Sequence, residues 1–359
     1  MDLADVVSKP KEELQTPALL VDLPAMEFNL QTMAQFFSGK SARLRPHFKN
    51  HRVLELARRQ FECGAIGITC ARLWQAERLV ESGIRSVLIA NELAGHDVLR
   101  RFAELSRMAP VVLAVDNENV VRDLGRVSRD LRVPLNIVVD VDLGLRRCGV
   151  VPGEAAVNLA KRVAEEGLHF RGIMGYEGHL QPQVPGPEKT RTVSNAMTAL
   201  VDSKSRIEAA GLPVEIVSCG GTGDYSLSGV FPGVTEIQAG SYLLMDTWYQ
   251  PFAADFRQTL TVLATVISKT PGERIVVDAG VKAISGERGL PSVKNGHGLK
   301  VRALHAEHAP IDFIDGGNEV AVGDKIELAV QYHDGTMQLH SNLFGIRGGK
   351  VEKVFKIEH

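Results

Sequence analysis

The sequence predicts an α/β protein in which a (β/α)8 TIM-type barrel is followed by a C-terminal antiparallel β domain. Three observations support this prediction. β-Branched runs alternate with amphipathic segments between residues 43 and 243, and eight such runs occur. After about residue 256 the pattern changes to strict alternation of apolar and polar residues, which is typical of antiparallel strands.

The barrel strands are predicted from the eight runs, which are separated by segments such as RLWQAERLVESGI (72–84). The apolar residues of these segments recur at three- and four-residue steps, as in a helix. Strands that alternate with helices indicate right-handed βαβ units and a parallel sheet. An open doubly wound sheet is the alternative, but no Gly-x-Gly-x-x-Gly turn follows an early strand. The runs span residues 43–48, 64–70, 86–90, 111–116, 135–141, 170–176, 215–221 and 236–243.

The β domain is predicted from period-two segments such as RQTLTVLATVISKT and DKIELAVQYHD, which no helical segment separates. The early run ALLVDL (18–23) precedes the first barrel strand, so we expect it to pair with this domain. The predicted domains are residues 25–250 for the barrel, and residues 1–24 with 251–359 for the β domain.

Composition predicts a soluble cytoplasmic protein. The 359 residues are 44% hydrophobic and 23% charged, and the formal net charge is −2, which favours neither nucleic acid nor membrane as a partner. No apolar run is long enough to span a bilayer, and the N-terminus lacks the apolar core of a signal peptide. The four cysteines show no paired spacing, as expected in a reducing compartment.

The first predicted strand runs into RPHFKNHR (45–52), a basic stretch with Lys49 at its centre. In a parallel barrel the chemistry takes place at the C-terminal ends of the strands. Arg45 and Arg52 should disfavour the charged ammonium and lower the pKa of Lys49 towards neutrality. A lysine with a free amine can form a Schiff base. The alternative is an ordinary solvated lysine.

Two glycine-rich turns follow the seventh and eighth predicted strands, as SCGGTGD (218–224) and QAGSY (238–242). Glycines allow backbone N–H groups to surround an anion, and barrels commonly bind phosphate after these two strands. A phosphate site combined with a Schiff-base lysine indicates a phosphorylated aldehyde, and pyridoxal 5′-phosphate contains both groups. The predicted ligands are Lys49, Gly220, Gly221, Thr222, Gly240 and Ser241.

These segments, taken together with TPALLVDLPAMEFNL, VDVDLGLRRCGV and GYEGHLQ, resemble the fold-type III pyridoxal phosphate enzymes. Within that class the sequence is similar to the D-threonine aldolase and D-serine dehydratase group, and the resemblance covers nearly the whole chain. It implies an alanine-racemase-like fold and a homodimer whose active sites are completed by the partner's β domain.

The resemblance also implies roles for individual residues. Lys49 matches the cofactor lysine, and the SCGGTG segment matches the phosphate loop. Arg147 matches an arginine that faces the cofactor, although a salt bridge at a helix start is an equal alternative. Tyr176 should flank the pyridine ring, and His179 is either a proton shuttle or a loop histidine.

A divalent cation (Mn, Mg or Zn) is implied by the resemblance, through a His-x-Cys or His-x-Asp pair on one face of a strand. Ungapped alignment places the family's histidine on Tyr332 and its second ligand on Asp334, whereas a flat strand would direct His333 to the opposite face. Three alternatives remain: a bulge lets His333 and Asp334 bind the metal together, Tyr332 acts as an acid or base, or neither residue is functional. His308 and His340 are further candidate ligands.

The predicted function is retro-aldol cleavage of a β-hydroxy-D-amino acid to glycine and an aldehyde, by a pyridoxal phosphate lyase. Dehydration of D-serine or 3-hydroxyaspartate to a keto acid and ammonia is the principal alternative. A racemase or epimerase that uses Lys49 and Tyr332 is also possible, as is a protein that binds the cofactor without catalysis. A cofactor-free lysine aldolase would need no paired glycine turns.

Overall fold

The computed structural model describes residues 3–296, 298–315 and 319–359. The chain divides into two compact units. A β-rich unit comprises Met1–Thr32, Asn50–Glu55 and Ser241–His359, and a barrel unit comprises Met33–Lys49 and Leu56–Gly240. The predicted domain limits, at residues 25 and 250, stay a prediction.

The first strand, β1 (Ala18–Asp22), belongs to the β-rich unit, and the next eight described strands form one parallel sheet in the barrel unit. The sheet has the order β2-β9-β8-β7-β6-β5-β4-β3. A parallel bridge between His47 and Thr69 joins the two ends of this order, which confirms the predicted barrel. The barrel strands are β2 (Arg43–Leu44), β3 (Ile68–Cys70), β4 (Val87–Ile89), β5 (Val112–Val115), β6 (Asn136–Val141), β7 (His169–Gly175), β8 (Ile216–Cys219) and β9 (Glu236–Ile237).

Helices alternate with these strands, and α5 shows why they form where they do. The Asn117 side chain caps the helix by accepting from the N–H of Asn119, and Arg132 ends it in the left-handed conformation. None of the described helices combines the length and apolar character needed to cross a membrane. The helices are α1 (Leu23–Phe37), α2 (Leu54–Glu62), α3 (Leu73–Glu81), α4 (His96–Met108), α5 (Glu118–Leu131), α6 (Glu154–Glu165), α7 (Pro187–Ala209) and α8 (Tyr225–Ser228).

Each of the eight predicted barrel strands is present, but the first and last are short. β2 covers only two residues of the predicted run 43–48, and Phe48–Asn50 instead form a 3-10 turn. Pro46 lacks the N–H that would extend the pairing. The barrel core is a continuous cluster of buried side chains on neighbouring strands, formed by Leu88, Val112, Ala114, Val138, Met174 and Ile216.

Arg45 has a structural partner that its place in the basic stretch did not reveal. Its Nε donates to Glu236 Oε1 at 2.9 Å, and its Nη1 donates to Ser86 Oγ at 3.0 Å. The side chains of Arg45 and Glu236 are 9% and 3% exposed. A Cβ atom at Gly67 would overlap with the Arg45 guanidinium, so a glycine is required there. Glu236 therefore offsets the charge of Arg45, and the predicted effect of this arginine on Lys49 stays a prediction.

In the β-rich unit, β1 pairs antiparallel with β10 (Leu260–Thr270), which confirms its predicted place. The sheet is mostly antiparallel, as predicted, although β1 also pairs in parallel with β16 (Asn342–Arg347). The expectation that no helix separates the strands was wrong, because a short helix, α9 (His333–Met337), lies between β15 (Lys325–Ala329) and β16. The other strands described in this unit are β11 (Arg274–Val277), β12 (Ser292–Val293), β13 (Leu299–Val301), β14 (Ala309–Phe313) and β17 (Lys350–Lys356).

We expect Glu236→Gln to destabilise the protein by about 3–5 kcal/mol, because it leaves the Arg45 cation buried without a counter-charge. The measurement is the free energy of unfolding in urea. The matched control is Glu188→Ala, which breaks an exposed pair with Arg191 and should cost at most about 1 kcal/mol. Equal losses in the two variants would contradict the assignment.

Candidate active site

Lys49 lies in the 3-10 turn that follows β2, and it is half-buried. The ring Nδ1 of His47 accepts the backbone N–H of Lys49 at 3.4 Å. His51 is fully buried, and its Nδ1 accepts the N–H of Val53 at 3.0 Å. The histidines of the basic stretch therefore bind the backbone on either side of the lysine.

Arg147, Tyr176 and His179 lie close together in the barrel unit. The Arg147 guanidinium carbon is 5.7 Å from the Tyr176 ring centroid, and both residues follow the ends of barrel strands. The His179 ring is exposed and would lie 3.3 Å from a Cβ placed on Gly144. Gly178 is needed because a Cβ there would overlap with the Tyr176 ring. Three predicted site residues thus share one region.

The glycine loop, residues 220–223, is buried and held from within the protein. The Gly221 N–H donates to Asp224 Oδ1 at 2.9 Å, and the Gly220 N–H donates to Glu177 Oε2 at 3.3 Å. The N–H groups of Gly220 and Gly221 thus have acceptors within the protein, and their predicted contact with phosphate stays a prediction. Thr222 lies within the same loop and is 2% exposed; its role remains a prediction.

The two other predicted phosphate residues follow β9. Gly240 and Ser241 are both buried. Within the β-rich unit, Ser241 Oγ accepts from Asn50 Nδ2 at 3.2 Å. Asn50 directly follows Lys49 in the chain, so one peptide bond joins the predicted cofactor lysine to the residue that contacts Ser241.

His333 is fully buried in the β-rich unit and is contacted by two carboxylates. Its Nδ1 is 2.5 Å from Asp246 Oδ2, an oxygen that also accepts the His333 backbone N–H at 3.0 Å. Its Nε2 is 3.0 Å from Asp334 Oδ1. Asp246 is itself held in place, since its other oxygen accepts the N–H of Tyr249 at 2.8 Å.

Asn50 completes this group, which we call the His333 cluster (Asn50, Asp246, His333 and Asp334). The Asn50 Nδ2 atom is 2.6 Å from Asp334 Oδ1 and 3.3 Å from His333 Nε2. His333 Nε2 and Asp334 Oδ1 therefore face the same point, next to the Asn50 amide, which donates to Asp334.

The strand argument for the metal ligands was wrong, because β15 ends at Ala329 and His333 begins a helix. At a helix start, consecutive side chains need not point to opposite faces, so His333 and Asp334 meet. Burial, followed by the Asp334 carboxylate, raises the pKa of Tyr332 above its ordinary value. A phenol that keeps its proton can donate it, but Tyr332 does not fit the alternative role of base.

Burial lowers the pKa of His333, but the Asp246 and Asp334 carboxylates outweigh this effect and raise it to about 10. Without a cation, the ring is therefore an imidazolium between two carboxylates. A metal ion bound at Nε2 would replace that proton, as is usual when histidine becomes a ligand.

Other candidate ligands lie apart from this arrangement. His340 Nε2 contacts the Ala283 carbonyl at 2.8 Å, and His308 is exposed. Ligand atoms of Glu92, Asp116 and Cys148 lie within 4.8 Å of one another. Burial, together with Glu92, raises the pKa of the Cys148 thiol to about 11, so the thiolate that a metal needs is disfavoured.

Sequence reasoning missed Asp246 and Asn50 as site residues. Asp246 ends the buried run SYLLMD, where a single acidic residue among apolar neighbours was a usable signal. Asn50 adjoins the lysine on which the prediction was centred. Both were overlooked because the residues they contact lie far away in the chain.

A parallel barrel with a lysine after its first strand and a glycine loop after β8 defines the alanine-racemase-like class of pyridoxal phosphate enzymes. Comparison with known families agrees. Residues 21–247 match the family described as "Alanine racemase, N-terminal domain", and residues 259–346 match "Putative serine dehydratase domain". The chain belongs to this family, within its D-threonine aldolase and D-serine dehydratase group.

Several known proteins are similar to this chain over nearly its whole length. The chain is 31% identical to a D-threonine aldolase of Arthrobacter sp., over 97% of this chain and 93% of that protein. It is 32% identical to a 3-hydroxy-D-aspartate aldolase of Paracoccus denitrificans, over 99% and 95%. The crystal structure of D-threonine aldolase from Filomicrobium marinum superimposes with a TM-score of 0.93 and 32% identity, over 98% of this chain and 96% of that one.

We expect Asp246→Asn to flatten the pH dependence of stability in chelator-treated protein. The folded-state pKa of His333, about 10, lies above its ordinary value of 6.5. The ion pairs therefore stabilise the fold fully below about pH 6.5, and this contribution is lost as the pH rises through about 10. The measurement is the free energy of unfolding across this window. Asp123→Asn, in an exposed pair with Arg126, is the control; an unchanged profile in Asp246→Asn would contradict the prediction.

Proposed function

We propose that the protein is a pyridoxal phosphate lyase that cleaves a β-hydroxy-D-amino acid to glycine and an aldehyde. The observation that carries the proposal is identity of 31–32% to two aldolases over nearly the whole of each chain. The local arrangement supports it, because Lys49 and the glycine loop follow barrel strands, where the chemistry of a parallel barrel takes place.

The residues present fit pyridoxal phosphate. Lys49 offers a half-buried amine, and the glycine loop is so closely packed that a Cβ at Gly221 would lie 2.6 Å from Gln181 Oε1. Lys49 would hold the cofactor covalently, Tyr176 and Arg147 would contact its ring, and Thr222, Gly240 and Ser241 would bind its phosphate. When bound, the cofactor supplies an electron sink for the bond broken at the substrate α-carbon.

The His333 cluster fits a divalent cation. Two ligand atoms about 2.1 Å from one ion, at a right angle, lie about 3 Å apart, and His333 Nε2 and Asp334 Oδ1 are 3.0 Å apart. Asp246 accepts from the opposite ring nitrogen, the usual support of a metal-binding histidine. Such an ion, with Mn, Mg or Zn as candidates, would polarise the β-hydroxyl group of the substrate.

The chain's own groups have separate tasks in this proposal. Arg147 is a cation at the barrel strand ends and suits an anionic partner. His179 is exposed beside the same region, where it can exchange a proton with water. Tyr332 keeps its proton and can donate a hydrogen bond to the β-oxygen.

Dehydration uses the same cofactor residues and differs in the fate of the β-oxygen. It requires Lys49 to remove the α-proton while the hydroxyl group leaves, whereas retro-aldol cleavage requires loss of the hydroxyl proton. Racemisation would need a second proton donor, a role that Tyr332 could fill only in its protonated form. Product analysis separates the three reactions.

The proposal includes a cytoplasmic homodimer. The four free cysteines, Cys63, Cys70, Cys148 and Cys219, suit a reducing compartment. The dimer follows from the resemblance alone, and the molecular mass in solution tests it.

We expect borohydride reduction of the cofactor-loaded protein to attach the cofactor to Lys49, because reduction makes a Schiff-base link permanent. Peptide mapping by mass spectrometry locates the label. Lys49→Arg should remain unlabelled, whereas Lys40→Arg, at another half-buried lysine nearby in the sequence, should be labelled like the wild type. Label on a different lysine would overturn the assignment of Lys49.

We expect glycine to form from D-threonine or 3-hydroxy-D-aspartate, with a rate that falls on chelation and recovers with added Mn²⁺. His333→Ala should lower the rate at least about 100-fold if the ion stabilises the β-oxyanion. His340→Ala, at a half-buried histidine outside the His333 cluster, should keep most of the activity.

Other products would point to other functions. A keto acid and ammonia would replace the aldolase proposal with a dehydratase, and the L-enantiomer alone would indicate a racemase. Full activity in the presence of chelator would contradict the proposed metal site but would not affect the assignment of Lys49 to the cofactor.

A further inference from the structure

The glycine loop contacts an unusual group of buried charges, which lies wholly within the barrel unit. We define the buried polar cluster as Glu177, Gln181, Lys189 and Asp224. These four side chains belong to residues that are at most 2% exposed. Buried ionisable groups are costly unless they are paired, so their position next to the loop requires an explanation.

Three of the four side chains accept hydrogen bonds from backbone N–H groups of the loop. Glu177 accepts from Gly220 at 3.3 Å, and Asp224 accepts from Gly221 at 2.9 Å. Gln181 Oε1 accepts the N–H of Gly223 at 2.8 Å. The amides on both sides of Thr222 are therefore fixed, which orients the peptide groups that flank this residue.

Lys189 holds the same loop by its carbonyl groups. Its Nζ donates to the Gly223 carbonyl at 2.6 Å, to Gln181 O at 3.1 Å and to Gln183 O at 3.0 Å. All three ammonium donors are thus satisfied by backbone oxygens, which suits a buried lysine. Gly223 is held at both its N–H and its C=O.

Burial reduces the negative charge of the cluster. Burial and the Asp224 carboxylate hold the pKa of Glu177 well above its ordinary value. Burial also raises the pKa of Asp224, although hydrogen bonds from Gln181 and Gly221 oppose this effect. The protonated form of Glu177 is therefore favoured, which limits the repulsion that an anion bound by the loop would meet.

We propose that the buried polar cluster is a positioning device that gives the glycine loop its phosphate-binding shape. This inference rests on the proposed function and adds residues that do not themselves touch the cofactor. The N–H groups of Gly220, Gly221 and Gly223 bind this scaffold. We therefore assign phosphate recognition to Thr222 and to the residues after β9.

The test compares two cofactor forms in the full-length protein after removal of bound cofactor. Dissociation constants are measured for pyridoxal 5′-phosphate and for pyridoxal, which lacks the phosphate. Glu177→Ala should weaken the phosphorylated form at least about tenfold and leave pyridoxal nearly unchanged, because only the phosphate contacts depend on the loop.

The conservative variant shows whether the carboxyl group acts in its protonated form. Glu177→Gln keeps an acceptor for the Gly220 N–H and a donor for Asp224, so it should restore most of the phosphate preference. Ser228→Ala removes one hydrogen bond to Glu177 Oε1, at 2.8 Å, and should weaken the binding of pyridoxal 5′-phosphate by a smaller factor. This variant replaces Glu177→Ala in the test if Glu177→Ala does not fold. Glu188→Ala, at an exposed neighbour of Lys189, is the control.

Equal weakening of both cofactor forms in Glu177→Ala, no weakening of either, or a Glu177→Gln variant as weak as Glu177→Ala would overturn the inference. These outcomes leave the proposed function standing if borohydride still labels Lys49. Equal dissociation constants of the wild-type protein for pyridoxal 5′-phosphate and pyridoxal would contradict both the proposed phosphate site and this inference.

Discussion

The predicted cofactor site depends on how the first and last barrel strands pair. β2 and β9 pair through Arg43 with Glu236 and Leu44 with Ile237. The buried ion pair of Arg45 and Glu236 lies at this junction and adds a side-chain link between the two segments. Lys49 follows β2 and Gly240 follows β9, so this pairing places two predicted cofactor residues after neighbouring strands.

Burial of charge is the common physical theme of the functional regions. Arg45 is paired with Glu236, His333 contacts the carboxylates of Asp246 and Asp334, and Lys189 donates to three carbonyl groups. In each case an unpaired group in a medium of low dielectric would be costly, so the partners fix one conformation. The same low dielectric strengthens any interaction with a bound ion or anion.

The chemistry proposed for the protein is divided between residue groups that the chain links directly. Lys49 belongs to the barrel unit and Asn50 to the β-rich unit, and likewise Gly240 is followed by Ser241. In each case one peptide bond joins a predicted cofactor residue of the barrel unit to a residue of the β-rich unit.

Periodicity was enough to predict the barrel and the place of β1 in the β-rich unit, and also that Lys49 and the glycine loop follow barrel strands, because each depends on short-range pattern. The roles of Lys49 and the glycine loop stay predictions. Periodicity could not reveal the His333 cluster, where Asp246 contacts His333 across 87 residues and Asn50 contacts Asp334 across 284. The alternating pattern through residue 334 predicted a strand, but the chain turns into α9, where the His333 N–H bonds to Asp246. Local sequence encodes local geometry, whereas the partner of a buried charge is set only when distant segments pack.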